Sequence, residues 1–397
     1  MNLLFLADRF LPHAGGSRVY YYNIYRRLSA LHNDTVTVLT KRVPGWEQFD
    51  AKEADPNFVV IRRSDPLGDW KFHQIHTIGL PALHTFSLIR KNRPDMIHVG
   101  DLYPQGLLGL LCRGTLGIPY LAYCHGEEVT QMDHFRLESK LRNAVYQNAA
   151  VVVSASAFAR QNLIRIGIPE DRIVTVTPGV DHGRFTPGRP SDSLVERLGL
   201  QGKIVLLTVA RLVPRKGHAV VMKALAKLAA DIPDLCYVVV GTGPQEESLR
   251  RLARECSIEQ LVKFAGYVPA EDLPDYYRAC DIFVMMNCEE HGDIEGFGMV
   301  FLEANAAGKP VIGGRSGGTE ESIREGFTGY RCDPHDVDAT AAKIAILAKQ
   351  PRLRLELGEQ ARAWVTREFD WGGRASLVRA ASASVVGKRG RSLECLT

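Results

Sequence analysis

Cysteine is sparse and unpatterned: eight residues among 397, none in a C-x-x-C pair, which excludes a disulfide scaffold and a zinc ribbon. Long apolar runs are missing too. The stretch 106–112 stops at Arg113, far short of the roughly 18 residues that a spanning helix needs. The opening Met1-Asn2-Leu3-Leu4-Phe5-Leu6-Ala7 meets Asp8 too soon for a signal peptide, so a cytoplasmic chain with reduced thiols is expected. No Lys/Arg-rich run stands out, and the net charge is only +4, so nucleic acid is not an expected partner. The glycine fingerprint G-x-G-x-x-G is absent, which argues against a nicotinamide enzyme, and no cysteine has a histidine placed nearby as its base. The acidic run 289–293 lacks metal-ligand spacing, and Asp336-Val337-Asp338 reads as a helix start, so no metal site is expected.

What is present is alternation. Short β-branched runs at 2–7, 35–40, 58–62, 96–99, 120–124, 151–154 and 173–177 are separated by helical spacing, as at 18–31. A Gly/Pro-crowded stretch, 177–190, interrupts the pattern as an interdomain connection would. It restarts with strands expected at 204–209, 237–240, 262–265, 282–285 and 311–313 and helices at 217–230, 246–255, 270–278 and 297–307. The last 30 residues look helical, with a basic, Ser-rich end. Strands alternating with helices imply parallel sheets, hence an α/β fold of two doubly wound, Rossmann-like domains. In such domains ligands sit beyond the carboxyl ends of the strands.

The candidate site residues fall at those ends. Gly15-Gly16 follows the first strand and opens a helix, as either a tight turn or a close approach to an anion. His125, in Cys124-His125-Gly126-Glu127, follows a strand and is either a structural imidazole or an exposed site group. Arg211 and Lys216, between a strand and a helix, could clamp a diphosphate or form a solvated basic loop. Glu295 and Glu303 bracket a Gly-Phe-Gly loop whose amides would face an anion, placing a carboxylate on each side of it for paired sugar hydroxyls.

These residues resemble the paired signatures of the retaining GT-B glycosyltransferases of family four: Arg211 and Lys216 with four residues between them, Glu295 and Glu303 with seven between. The similarity runs along nearly the whole chain and is closest to the bacterial phosphatidylinositol mannosyltransferase branch. The connection departs from the family's usual Asn-Gly-Val-Asp in reading Pro178-Gly179-Val180-Asp181.

The resemblance implies a GT-B fold with an acceptor-side domain over 1–185, a donor domain over 186–371 and a terminal helix near 372–390 returning to the first domain. It implies that Arg211 and Lys216 hold the donor diphosphate as leaving group. Glu303 would take the ribose hydroxyls, and Glu295 the transferred sugar beside the Gly298, Met299 and Val300 amides. His125 would stand near the reaction centre, Gly16 would let the first loop approach donor and acceptor, and Tyr267 and Val268 would meet the base. The implied reaction is metal-independent hexosyl transfer with retention, from GDP-mannose or alternatively a UDP-sugar, to a lipid-linked, glycan or small-molecule hydroxyl. A sugar 2-epimerase and a non-catalytic nucleotide-sugar-binding protein are the competing readings. Members often dock on anionic membranes, and the aromatic and basic residues of 70–93 with the +5 balance of residues 1–190 (22 basic, 17 acidic) read either as the interfacial segment of a peripheral membrane protein or as a buried helix with an exposed basic end.

Overall fold

A computed structural model describes residues 1–13, 15–64, 79–130 and 136–394. The chain divides into two units, 1–178 joined by 371–397, and 179–370. The first holds strands β1 (Asn2–Leu6), β2 (Thr35–Lys41), β3 (Phe58–Arg63), β4 (Met96–Val99), β5 (Tyr120–Cys124), β6 (Val151–Ser154) and β7 (Ile173–Thr175). Its helices are α1 (Gly16–His32), α2 (Trp46–Lys52), α3 (Gly79–Asn92), α4 (Leu107–Leu116), α5 (Glu127–Thr130), α6 (Arg136–Asn148) and α7 (Ala157–Arg165). The second unit holds β8 (Ile204–Val209), β9 (Leu235–Val240), β10 (Val262–Gly266), β11 (Ile282–Met285), β12 (Val311–Gly314) and β13 (Gly329–Cys332). Its helices are α8 (Asp192–Leu198), α9 (His218–Leu228), α10 (Glu246–Glu255), α11 (Leu273–Ala279), α12 (Met299–Ala306), α13 (Thr319–Ser322), α14 (Val337–Lys349) and α15 (Pro351–Glu368). The last helix, α16 (Trp371–Glu394), belongs to the first unit.

All pairings within the two sheets are parallel, in the orders β3-β2-β1-β4-β5-β6-β7 and β10-β9-β8-β11-β12-β13. Each order reverses once, between β1 and β4 in the first sheet and between β8 and β11 in the second. Such switch points are where doubly wound sheets open a crevice for ligands.

The second sheet is covered on both faces. Val205 and Leu207 of β8 and Cys236, Val238 and Val240 of β9 pack into one core, while Leu206, Leu235, Tyr237 and Val239 pack into the other. A residue period of two therefore sends alternate side chains to opposite faces, and both are apolar, which is why these strands read as unbroken hydrophobic runs.

Where the sequence placed a boundary at 185/186, the division falls after Pro178. The Val180 amide donates to the Phe369 carbonyl at 2.9 Å, and Phe185 lies in the second core against Tyr277 (5.3 Å between rings), so 179–185 fold with the second unit. The terminal helix α16 packs on α1: Trp371 meets Tyr20 edge-on at 5.7 Å, Arg379 pairs with buried Asp34 at 3.0 Å, and Ser382 reaches His98 at 3.1 Å. Asp336 caps α14 by accepting the Ala339 amide at 2.8 Å. Of the basic, aromatic segment 70–93, residues 70–78 lie outside the described residues, and 79–92 form α3.

Candidate functional site

In the second unit the loop after β8 starts on a buried anchor, Leu212, whose amide donates to the Thr242 carbonyl at 2.9 Å. The chain then makes one 3-10 turn, Pro214–Lys216, and leaves through Gly217 at φ +68°. A Cβ there would stand 1.8 Å from the Met286 carbonyl oxygen, so only glycine lets this turn rest on the end of β11. The turn thereby faces the loop after β11, across the switch point of the sheet.

The result is an ion cluster. Arg215 Nη1 and Lys216 Nζ both reach the same carboxylate oxygen of Glu295, Oε2, the former at 2.7 Å. Arg215 Nε also lies 2.9 Å from Asp293 Oδ2. The side chains of Arg215, Lys216 and Glu295 are only 10%, 12% and 13% exposed. Burial pushes the Lys216 ammonium below its ordinary value, with Glu295 opposing that. For Glu295 burial alone would raise the carboxyl, but the attraction of Lys216 and Arg215 outweighs it and holds the group below the usual carboxylate value. Arg211 lies close enough to Lys216 to lower it further but is not bonded into the cluster. It is exposed, and its guanidinium makes no hydrogen bond or ion pair among the described residues.

Glu295 is fixed through its backbone as well, its carbonyl accepting the Gly318 amide at 2.9 Å. The stretch 314–318 spells G-x-S-x-G. Here its glycines serve as backbone contacts: a Cβ on Gly318 would stand 2.0 Å from the Gly296 carbonyl oxygen. Among the described residues no imidazole bonds Ser316. Gly298, at φ +86°, turns the chain into α12, so Met299 and Val300 occupy the first helical turn, where amides lack intrahelical acceptors. Glu303 lies about 7 Å further along the axis. The Tyr277 hydroxyl donates to Glu303 Oε2 at 2.6 Å. Burial pushes the Glu303 carboxyl up to about 7, with Tyr277 and Arg184 offsetting part of the effect.

Tyr267 and Val268 follow β10, the edge strand, about 10 Å (two strand spacings) from β8. Tyr267 is 68% exposed, while Val268 is partly buried against the core. Among the described residues neither makes a hydrogen bond or ion pair with the cluster.

The first unit brings His125 and Gly15-Gly16 to its own switch point, beyond β5 and β1. Gly15, at φ +152°, precedes α1, of which Gly16 is the first residue. His125 Nε2 is 2.7 Å from the Tyr21 hydroxyl, which in turn donates to the Gly100 carbonyl at 2.6 Å. A carbonyl can only accept, so the single phenolic proton goes to Gly100 and His125 Nε2 must be the donor to Tyr21. Burial pushes the imidazole below its ordinary value, against the pull of Glu127 and Asp101. The neutral ring is therefore the Nε2–H tautomer, with the lone pair on Nδ1. Glu128 fixes the backbone, accepting the amides of His125 (3.0 Å) and Gly126 (2.9 Å).

Sequence reasoning missed Arg215, Asp293, Tyr277, Tyr21 and Glu128. Arg215 and Glu128 adjoin residues it singled out, but the tyrosines sit at helical core spacing and give no local sign of their polar work. Among the described residues no group of three or more His, Cys, Asp or Glu is gathered as metal ligands.

Two doubly wound units, the second with cations and carboxylates at its switch point, define a GT-B glycosyltransferase architecture. Comparison with known proteins agrees. Residues 192–364 match the family described as glycosyl transferases group 1, and residues 14–184 match glycosyltransferase family 4. The chain is 32% identical over 377 residues to a GDP-mannose-dependent alpha-(1-6)-phosphatidylinositol monomannoside mannosyltransferase of Mycolicibacterium smegmatis, covering 93% of this chain and 95% of that protein. It is 29% identical to a D-inositol 3-phosphate glycosyltransferase of Thermobispora bispora, covering 91% and 88%. Among solved structures it resembles the sucrose-phosphate synthase of Thermosynechococcus elongatus (TM-score 0.80, 23% identity, 100% of this chain and 99% of that one). It also resembles HepE of Anabaena in complex with UDP-glucose (TM-score 0.78, 20% identity, 96% and 99%). The chain belongs to glycosyltransferase family 4, and it is a hexosyltransferase.

Proposed function

We propose that this chain transfers mannose from GDP-mannose, with retention of configuration and without a metal, to a hydroxyl of an inositol-phosphate-containing lipid. The observation that carries the reading is the meeting of Lys216, Arg215 and Glu295 next to the start of α12, with Glu303 further along the same helix. Arg211 and Lys216 take the donor diphosphate and neutralise it as it leaves. The Met299 and Val300 amides add the dipole of the helix start. Glu303 takes the ribose hydroxyls, and Glu295 offers the sugar its Oε1, which has no partner among the described residues. The acceptor oxygen bonds to the sugar's anomeric carbon on the face that the diphosphate leaves. Its proton passes to the departing phosphate oxygen, so no pair of carboxylates has to act as acid and base. His125, neutral and bare at Nδ1, offers a hydrogen-bond acceptor to a hydroxyl at the carboxyl end of β5 in the first unit.

GDP-mannose is favoured because four relatives at 30–32% identity are named for it, and an inositol phosphate because the inositol glycosyltransferases share it with them. A lipid acceptor places the chain peripherally on an anionic membrane surface, a reading that equal co-sedimentation with neutral and anionic liposomes would refute. No described helix is long and apolar enough to cross a membrane.

The test is a thermal-shift panel with GDP, UDP, ADP, GDP-mannose, UDP-glucose and NAD, each with and without EDTA. Ligand at 100 times its dissociation constant adds about 2.7 kcal/mol, several degrees for a unit of this size. A guanosine-selective shift unaffected by EDTA is expected. A uridine-selective shift overturns the donor, an EDTA-sensitive one the metal independence, and a shift with NAD alone the whole reading.

A further inference from the structure

In the ion cluster two cations share one carboxylate oxygen. Arg215 and Lys216 both reach Glu295 Oε2, and Arg215 alone is also held from behind, by Asp293 at 2.9 Å. Its backbone is tied as well, the Arg215 carbonyl accepting the Cys288 amide at 2.9 Å. Formally the four side chains sum to zero charge. Lys216, by contrast, follows at the end of the turn, its ammonium held by Glu295 and by no other described carboxylate.

This arrangement matters once a diphosphate enters, an argument that rests on the donor reading above. An ammonium that moves to the phosphates leaves Glu295, and a carboxylate only 13% exposed cannot stay ionised without a counter-ion. Among the described residues Arg215 is the other cation on it. We infer that Arg215 is the positioning residue that keeps Glu295 charged and aimed when the donor diphosphate draws Lys216 away. The guanidinium suits the task because it can hold Glu295 and Asp293 through different nitrogens at once. Arg215 itself touches neither sugar nor phosphate; it acts through Glu295.

The groups around this carboxylate are Lys216 and Arg215 directly, Asp293 behind Arg215, Arg211 and His218 beside Lys216, and the Cys288 thiol near the turn. Burial pushes His218 down to about 4 and raises Cys288, so neither titrates between pH 6 and 8. Glu303 does titrate there, as does the terminal phosphate of GDP. Both are common to wild type and an Arg215 variant, and cancel in the difference.

The experiment is calorimetric titration of GDP into wild type and Arg215→Met over pH 6–8, in buffers of different ionisation enthalpy. Relative to wild type, the variant takes up an extra proton on binding, because Glu295 must be neutralised as Lys216 leaves. Its affinity relative to wild type then rises as pH falls, by up to about tenfold per pH unit. Its kcat for hexose transfer drops at least about tenfold, while KM for the donor changes far less. Arg215→Lys restores most of the kcat and removes the extra proton. Arg215→Gln, which keeps a hydrogen-bond donor to Glu295 and removes only the charge, carries the same test if the methionine variant does not fold. Matching proton counts in variant and wild type, or loss of kcat that lysine does not rescue, overturns the inference and leaves the donor reading standing. Failure of wild type to bind either GDP or UDP overturns the donor reading and the inference with it.

Discussion

Glu303 should make donor binding depend on pH in a direction that can be worked out in advance. Burial raises its carboxyl from an ordinary 4.5 to about 7, even with the Tyr277 hydroxyl 2.6 Å away. A carboxylate that accepts two ribose hydroxyls has to be ionised, so binding near neutrality releases a proton. Affinity for GDP-mannose therefore weakens below about pH 7, approaching tenfold per pH unit, and levels off above it. The diesterified diphosphate of that ligand does not ionise in this window, and His218, held near 4, does not either. Removing the Tyr277 hydroxyl sharpens the test. A hydrogen bond to a charged acceptor contributes about 1.5–3 kcal/mol, which is one to two pH units of carboxyl stabilisation. Tyr277→Phe should then move the midpoint to about 8–9 and weaken binding at pH 7 by about 5- to 50-fold. Glu303→Gln should bind weakly at every pH, with no midpoint. The ligand-free protein gives the opposite sign. A carboxyl raised on folding favours the native state below about 4.5 and loses that advantage as pH rises through about 7. Glu303→Gln should therefore melt higher than wild type at pH 8, by no more than about 3 kcal/mol in stability, less what solvent screening removes at this partly exposed side chain. Calorimetric titration between pH 6 and 8.5 reads the first effect and thermal melting the second. Affinity that is flat or improves as pH falls from 8 to 6 would refute the reasoning.

Other perturbations give equally definite outcomes. Lys216→Ala should mainly slow transfer whereas Glu303→Ala should mainly weaken donor binding, and equally negligible effects of both in steady-state kinetics would dismiss the site. Tyr21→Phe removes the acceptor for His125 Nε2–H, so nitrogen NMR of the labelled imidazole should show the single neutral tautomer of wild type giving way to a mixture; an unchanged spectrum counts against the Tyr21–Gly100 relay. Gly318→Ala places a methyl carbon 2.0 Å from the Gly296 carbonyl oxygen, so chemical denaturation should show the second unit weakened by about 1–3 kcal/mol, together with loss of donor affinity.

Much of the fold was legible because both sheets are parallel and covered on both faces, so their strands read as continuous apolar runs. β13 escaped notice. Gly329-Tyr330-Arg331-Cys332 lies at the sheet edge, pairs only with β12 and carries no apolar run. The start of α12 was legible from Gly298, and the cap of α14 from Asp336. The candidate site was legible where one loop held its own signal, as at Arg211–Lys216 and 295–303. Its electrostatics were not, since Arg215 and Glu295 are 80 positions apart and only the folded sheet brings them together. For the same reason the sequence suggests a sugar contact for Glu295 but gives no sign of its ion pairs with Lys216 and Arg215. Tyr21 and Tyr277 looked like core residues, which they are, but each also spends its hydroxyl on a site group.

The central claim is hexosyl transfer with retention from a guanosine-linked donor. It is tested most directly by incubating the chain with GDP-mannose and phosphatidylinositol monomannoside in anionic vesicles, then measuring GDP released and the mass and anomeric configuration of the lipid product. The account predicts one hexose gained per GDP released, in the α configuration of the donor, unchanged by EDTA and strongly reduced in Lys216→Ala. A β-linked product, or an inert lipid in the presence of folded protein that binds GDP-mannose, would contradict it.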